Sequence, residues 1–111
     1  MYYDSERLMQ SDTVKHLTRN EKIHFIEPGR ISKKDYLVVV TDHHIYSIAI
    51  NRPELELKCT IIREKLKDIG FKTNSHTVGY EYISLSVFVE FENERTADRF
   101  NTILLQYVHM N

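Results

Sequence analysis

Residues 36–50 read Tyr-Leu-Val-Val-Val-Thr-Asp-His-His-Ile-Tyr-Ser-Ile-Ala-Ile. Val38, Val39, Val40, Ile45, Ile48 and Ile50 are β-branched, and Tyr36 and Tyr46 are aromatic, so the backbone favours a pleated surface over a helix. The break at Thr41-Asp42-His43-His44 is made of residues suited to tight turns. The pattern predicts a β-hairpin with strands near Asp35 to Thr41 and His44 to Ile50.

The rest of the chain is read outward from this hairpin. Asp4 to Leu17 carries a partial apolar stripe at Leu8, Val14 and Leu17 and reads as a short helix. Ser5 is its candidate cap, and Asp12 could instead cap a second, shorter turn. Glu21 to Glu27 alternates, with Ile23 and Phe25 facing one way and Lys22 and His24 the other, before Pro28-Gly29 stops the strand. Arg30 to Lys34 then reads as a short basic loop. After a turn at Asn51 to Glu54, Leu55, Leu57 and Cys59 alternate toward a core in a strand running to Ile62. Asp68 to Thr73 is a short strand, and Asn74 to Gly79 a polar turn. Tyr80 to Glu92 places Ile83, Leu85, Val87, Val89 and Phe91 on a core face, with Tyr82, Ser84, Ser86, Phe88 and Glu90 opposite. This run exceeds the ~10 residues that strands usually reach, so a bend, bulge or hidden turn is expected. From Asn93 to Met110, Ala97, Phe100, Ile103, Leu104, Tyr107 and Val108 recur at helical spacing, with Asn93 or Thr96 as cap.

At this point the chain resembles the pleckstrin-homology superfold, from roughly Leu17 to Tyr107. Glu21-Lys22-Ile23-His24-Phe25 resembles its first strand. Leu37-Val38-Val39-Val40-Thr41-Asp42-His43-His44-Ile45-Tyr46 resembles a hairpin that recurs in bacterial pleckstrin-like, GRAM and class I myosin tail-homology domains. Leu66-Lys67-Asp68-Ile69 resembles the step into a later strand, and Thr96 to Tyr107 the closing helix. The resemblance implies a mainly β fold with a C-terminal helix: a β-sandwich or partly open barrel of six or seven antiparallel strands, capped by one amphipathic helix. About six strands are readable where the family has seven, so either Tyr80 to Glu92 hides a tight turn or a strand is missing. A short N-terminal helix precedes the domain, dividing the chain into a helical segment over 1–20 and the domain proper over 21–111. The closing helix lacks the tryptophan common in eukaryotic members.

In lipid-binding members the loop between the first two strands clamps inositol phosphates, and Arg30, Lys33 and Lys34 match that placement. Clustered phosphates need several converging cationic donors. Glu27 and Asp35 stand where the flanking strands usually offer Lys and Arg, and acid at those points repels phosphate. The other reading of the loop is a solvated hairpin tip.

The remaining chemistry points away from catalysis. Fifteen Lys and Arg balance 16 Asp and Glu at a net charge of -1, which gives no global pull toward nucleic acid or membrane. Lys58, Arg63, Lys65 and Lys67 form a second basic set, diluted by Glu56 and Glu64. His16, His24, His43, His44, His76 and His109 show no metal-ligand spacing, so neither metal nor cofactor is expected. Cys59 is the single cysteine; it rules out an internal disulfide, fits an intracellular setting, and is expected to be inert in the core. No nucleophile elbow or phosphate loop is present, and no apolar run approaches the ~20 residues of a membrane span.

The expectation is a non-catalytic docking or targeting module. It is cytoplasmic, or peripheral at membranes, and binds a protein partner or a membrane phosphoinositide, not nucleic acid. The alternative is a homo-oligomerising scaffold domain that uses an edge strand or the N-terminal segment.

Overall fold

A computed structural model describes residues 12–50, 56–62, 66–82 and 85–108. In chain order it contains helix α1 (Asp12–Leu17), strands β1 (Ile23–Ile31), β2 (Lys34–Thr41), β3 (His44–Ala49), β4 (Glu56–Ile62), β5 (Leu66–Asn74), β6 (Thr77–Tyr82) and β7 (Leu85–Glu90), and helix α2 (Glu94–Val108). The strands form one antiparallel sheet in the order β4-β3-β2-β1-β7-β6-β5. Two meanders, β1 to β4 and β5 to β7, meet at a seam where β1 pairs with β7 only at Arg30 and Glu90. Helix α2 packs against β5, β1 and β6.

The hairpin of β2 and β3 forms where the β-branched runs place it. So does α2, whose first turn is capped by Asn93: its Oδ1 accepts from the Thr96 backbone N–H at 2.9 Å and from the Thr96 hydroxyl at 3.0 Å. Ala97, Phe100 and Leu104 are buried, while Glu94, Arg95, Asp98 and Arg99 are exposed, as the helical spacing requires. Phe100 is the hub of the core. Its ring lies 5.2 Å from Phe25, 5.1 Å from Phe91 and 6.1 Å from Tyr80, so one side chain ties α2 to β1, to the residue after β7, and to β6. Val38, Val40, Ile45, Val78 and Val89 complete this cluster.

The seventh strand is the hidden one. The long pattern ending at Glu92 divides into β6 and β7, and β6 already starts at Thr77; of the segment expected to be a turn, only Ser75 and His76 turn. The face assignment along β7 holds, with Val89 and Phe91 buried and Ser86, Phe88 and Glu90 exposed. Phe88, 48% exposed, pairs across the strands with Gly79. Its ring lies over that glycine, where an added Cβ would sit 2.8 Å from Phe88 Cε1. This is an aromatic side chain covering a strand glycine.

β1 differs from its expected form in two ways. Pro28-Gly29 does not stop it; the strand runs on to Ile31. Most of the flank of β1 next to β7 carries no ladder for a proline to interrupt, because the two strands pair at one position only. Gly29 serves close approach and not a turn: a Cβ there would meet Val89 Cγ1 at 2.8 Å and Phe91 Cε1 at 3.2 Å. The second difference is a bulge. Ile23 is opposite Thr41 and Phe25 opposite Val40, leaving His24 as the extra residue. Ile23 and Phe25 therefore fall on different faces, Phe25 in the α2-side core and Ile23 against a second cluster with Val14.

In β4, Leu57 is 38% exposed and not core-facing. β4 is an edge strand, and its pairing with β3 slips between Ser47 and Ile48. The side chains of Cys59, Lys58 and Lys67, and residues Leu55, Arg63 and Lys65, lie outside the described residues, as does the proposed turn at 51–54. Of the expected N-terminal helix, Asp12 to Leu17 is helical and residues 4–11 lie outside the described residues.

Candidate functional site

The three expected phosphate ligands lie at the β1–β2 hairpin, and the register decides how they are aimed. Only Ser32 and Lys33 form the turn, with φ of 53° and 67°, the positive values that a two-residue type I′ connection demands at both central positions. Arg30 is the cross-strand partner of Asp35, and Ile31 of Lys34. Cross-strand partners share a face and successive residues alternate. Arg30 and Asp35 therefore project from one face of the hairpin and Lys34 from the other, with Lys33 at the tip. Ile31, on the Lys34 face, packs against the main core. The Arg30 Nε lies 3.5 Å from Asp35 Oδ1. All three cations are exposed, but the register does not bring them together.

Ser32 and Lys33 hold a left-handed backbone without being glycine, which costs L-residues roughly 1–2 kcal/mol each. Lys33→Gly is expected to stabilise the domain by about 1 kcal/mol, after allowing for the greater freedom of glycine in the unfolded chain. A rise in thermal midpoint checks this; an unchanged or lower midpoint would mean that the Lys33 side chain makes up for its backbone.

On the Arg30 face, a cleft of about 520 Å³ opens between β1 and the end of β7. Arg30, Asp35, His76, Glu90 and Glu92 line it together with Pro28, Gly29 and Phe91. Three carboxylates and one guanidinium thus share the lining of this cleft. A second groove, of about 600 Å³, runs along α2 and is lined by Glu94, Arg95, Asp98, Arg99, Thr102 and Ile103. Arg99 is held at its edge by Glu27 Oε1 at 3.6 Å, with its guanidinium carbon 5.5 Å from the centre of the Phe25 ring. Glu27, counted above as spoiling a phosphate clamp, is thus engaged with the closing helix.

The most elaborate polar cluster lies at the opposite end of β1 and is centred on Glu21. Glu21 Oε1 accepts from Thr41 Oγ1 at 2.9 Å and from His44 Nδ1 at 2.6 Å, and Oε2 accepts from the Tyr46 hydroxyl at 2.6 Å. The His44 ring stacks on Tyr46, with centroids 5.4 Å apart. Beside it the bulge aims His24 Nε2 at Asp42 Oδ1, 2.5 Å away, and Asp42 Oδ2 accepts the Lys22 backbone N–H at 3.3 Å. Burial by itself would raise the Glu21 carboxyl, but hydrogen bonds from Tyr46, His44 and Thr41 outweigh it and hold the group below its ordinary value of 4.5. Burial first, and then the Glu21 carboxylate, push the Tyr46 hydroxyl well up. The hydrogen bond from His24 holds Asp42 low. All these donors serve to lock the entry of β1 onto the β2–β3 turn. Local sequence pattern gives Glu21 no role beyond opening the first strand; the available signal is a carboxylate entering one strand near a Thr-Asp-His-His turn. Among the described residues no group of three or more His, Cys, Asp or Glu is placed to hold a metal ion, and no helix is long and apolar enough to cross a membrane.

Neither a family model nor a curated protein sequence matches the chain. Solved structures do. The chain is similar to the linker-DH/PH domains of p115-RhoGEF at a TM-score of 0.70 and 10% identity, over 97% of this chain and 36% of that one. An N-terminally truncated form of the same domains matches at a TM-score of 0.70 and 10% identity, covering 97% and 37%. The DH/PH fragment of PDZRHOGEF, solved in complex with human RhoA, matches at a TM-score of 0.70 and 15% identity, over 97% of this chain and 36% of that one. The chain spans about a third of the length of these neighbours. The fold is pleckstrin-homology-like: an antiparallel sheet closed by a C-terminal helix, with a short helix before it.

Proposed function

We propose that the chain is a non-catalytic docking domain that binds a protein partner. The observation that supports this most is the charge layout of the cleft beside the β1–β2 hairpin, where Arg30 pairs with Asp35 and shares the lining with Glu90 and Glu92 while Lys34 projects from the other face of the hairpin. A cluster of phosphates calls for converging cations. A cleft with three carboxylates to one guanidinium suits a basic segment of a protein, whose complementary charge would steer and register it. One structural neighbour, a DH/PH fragment, was solved bound to a protein, human RhoA.

The second reading is a phosphoinositide headgroup held by Arg30, Lys33 and Lys34, favoured by the exposure of all three. Two measurements separate the readings. Affinity capture with the full chain is expected to retain a partner that Glu90→Lys with Glu92→Lys weakens about tenfold, through charge repulsion, and that Lys33→Ala with Lys34→Ala leaves in place. Co-sedimentation with phosphoinositide-containing vesicles is expected to match that with neutral vesicles. Saturable, phosphoinositide-dependent sedimentation lost in the double lysine variant would replace the protein reading with the lipid one. Light scattering on a sizing column reads the self-association alternative directly.

A further inference from the structure

Beside the cleft, the outer face of β6 and β7 carries an aromatic ring set between two carboxylates. Phe88 is the most exposed large apolar side chain among the described residues, at 48%. A single exposed apolar residue is ordinary at a protein surface, so its surroundings have to carry the argument. In the β6–β7 pair, Gly79 is opposite Phe88, Glu81 opposite Ser86 and Thr77 opposite Glu90. Cross-strand partners share a face, and alternate residues return to it. Glu81, Ser86, Phe88 and Glu90 therefore share one face, and all four are exposed. Glu90 lies two residues along the strand from Phe88, about 7 Å away. Glu81 lies on the diagonal in the opposite direction, at about 7–8 Å.

The ring is in place before anything binds. Its Cε1 and Cδ1 lie 2.8 and 2.9 Å from where a Cβ would stand on Gly79, so one edge rests on bare backbone while the rest meets solvent. A ring already held this way gives up little side-chain freedom to a ligand. An apolar ligand seated on it would draw the neighbouring carboxylates out of water without a partner, which is costly. A cation instead gains from the ring face and from the carboxylates together. Arginine suits the place better than lysine: its guanidinium is planar, weakly hydrated and able to stack, with a fork of N–H donors left at its edge. The ring also adjoins the cleft, because Glu90 lines the cleft and flanks Phe88. An extended segment lying beside Glu90 reaches Phe88 within about two residues.

We infer that Phe88, with Glu81 and Glu90 on either side, is an arginine-binding subsite, and that its occupant is an arginine side chain of the basic partner segment. The guanidinium lies on the open side of the Phe88 ring and donates to the flanking carboxylates. The subsite rests on the reading of the adjoining cleft as a protein-docking site, and it gives that site one anchor with a definite side-chain preference.

Fluorescence anisotropy with the full chain at low salt tests this. The probes are short dye-labelled peptides of alternating lysine and serine, with arginine, lysine or leucine at the central lysine position. The arginine peptide is expected to bind about two- to fivefold tighter than the lysine peptide, and the leucine peptide weakest. Phe88→Leu still covers Gly79 and is expected to abolish the arginine preference, while Phe88→Tyr keeps it. Glu81→Gln, at an exposed position that leaves the ring alone, is expected to weaken the arginine peptide more than the leucine one. If the ring only shields Gly79, Phe88→Leu lowers the thermal midpoint and leaves the arginine preference intact, and the subsite is overturned. Equal binding of the arginine and lysine peptides, both weakened by Glu90→Lys with Glu92→Lys, would overturn the subsite and leave the docking cleft standing. Tightest binding of the leucine peptide, or a dimer in light scattering that Phe88→Leu disperses, would give the ring to an apolar partner or a second copy and overturn it too. Binding of none of the peptides would also overturn it; whether the cleft docks a protein is read separately by the affinity capture.

Discussion

Phe100→Ala is expected to lower the unfolding free energy by about 3–5 kcal/mol, the usual cost of truncating a fully buried phenylalanine. Phe100 is 0% exposed and stands among Phe25, Phe91 and Tyr80. Three rings around one leave little freedom to collapse into the space, so the residual cavity should remain large. Domains of this size hold roughly 5–15 kcal/mol in total, and the loss would bring this one close to its threshold. Chemical denaturation should show a lower midpoint with an unchanged slope. Phe100→Leu, which keeps much of the volume, should cost clearly less. A loss below about 1 kcal/mol for the alanine variant would mean that the helix is held mainly by its other contacts and that the aromatic cluster is incidental.

Glu21→Ala is expected to cost about 2–4 kcal/mol, although nothing apolar is removed. The Thr41 and Tyr46 hydroxyls and the His44 ring lose their shared acceptor at once, and depriving buried donors of a partner costs more than the net worth of the bonds. Glu21→Gln should fall between wild type and Glu21→Ala, since an amide offers one acceptor oxygen to donors that now use two. The sign of the pH effect follows from the depressed carboxyl. Its stabilisation is fully present above the unfolded carboxyl's value of 4.5 and is lost as pH falls through the lower folded value. Wild type should therefore lose stability on acidification below about pH 4.5 more steeply than Glu21→Gln. Parallel slopes for the two proteins would show that other carboxylates dominate acid unfolding.

What could be read from the chain follows the range over which each signal acts. The β2–β3 hairpin, the register of faces along β7 and the amphipathic α2 rest on residues a few positions apart, where β-branching, alternation and capping act. Pro28-Gly29 misleads because the same dipeptide marks a turn when isolated and a close strand crossing when Val89 and Phe91 lie over it. The bulge at His24 is invisible in β1 by itself, since it is a property of its pairing with β2. The Glu21 cluster joins residues 20 to 25 positions apart, so no local pattern announces it. At the candidate site, the sequence places Arg30, Lys33 and Lys34 correctly within a few residues of one another. It misses that Arg30 and Lys34 leave the hairpin on opposite faces, because a two-residue turn stands in place of the expected five-residue loop.

The seam between β1 and β7 bears on how the chain reaches this fold. Every other strand pairing joins neighbours in sequence, so each meander can zip from its own turns at little entropic cost. Closing the loop that separates Arg30 from Glu90 gains a single strand pair while carrying the chain entropy of the whole intervening segment. That closure has to be driven by side chains arriving together, above all by the Phe25, Phe91 and Phe100 rings and by the glycine that lets the strands approach. Pairing within each meander is therefore entropically favoured over the long-range seam at the centre of the sheet, which depends on the side chains that meet there.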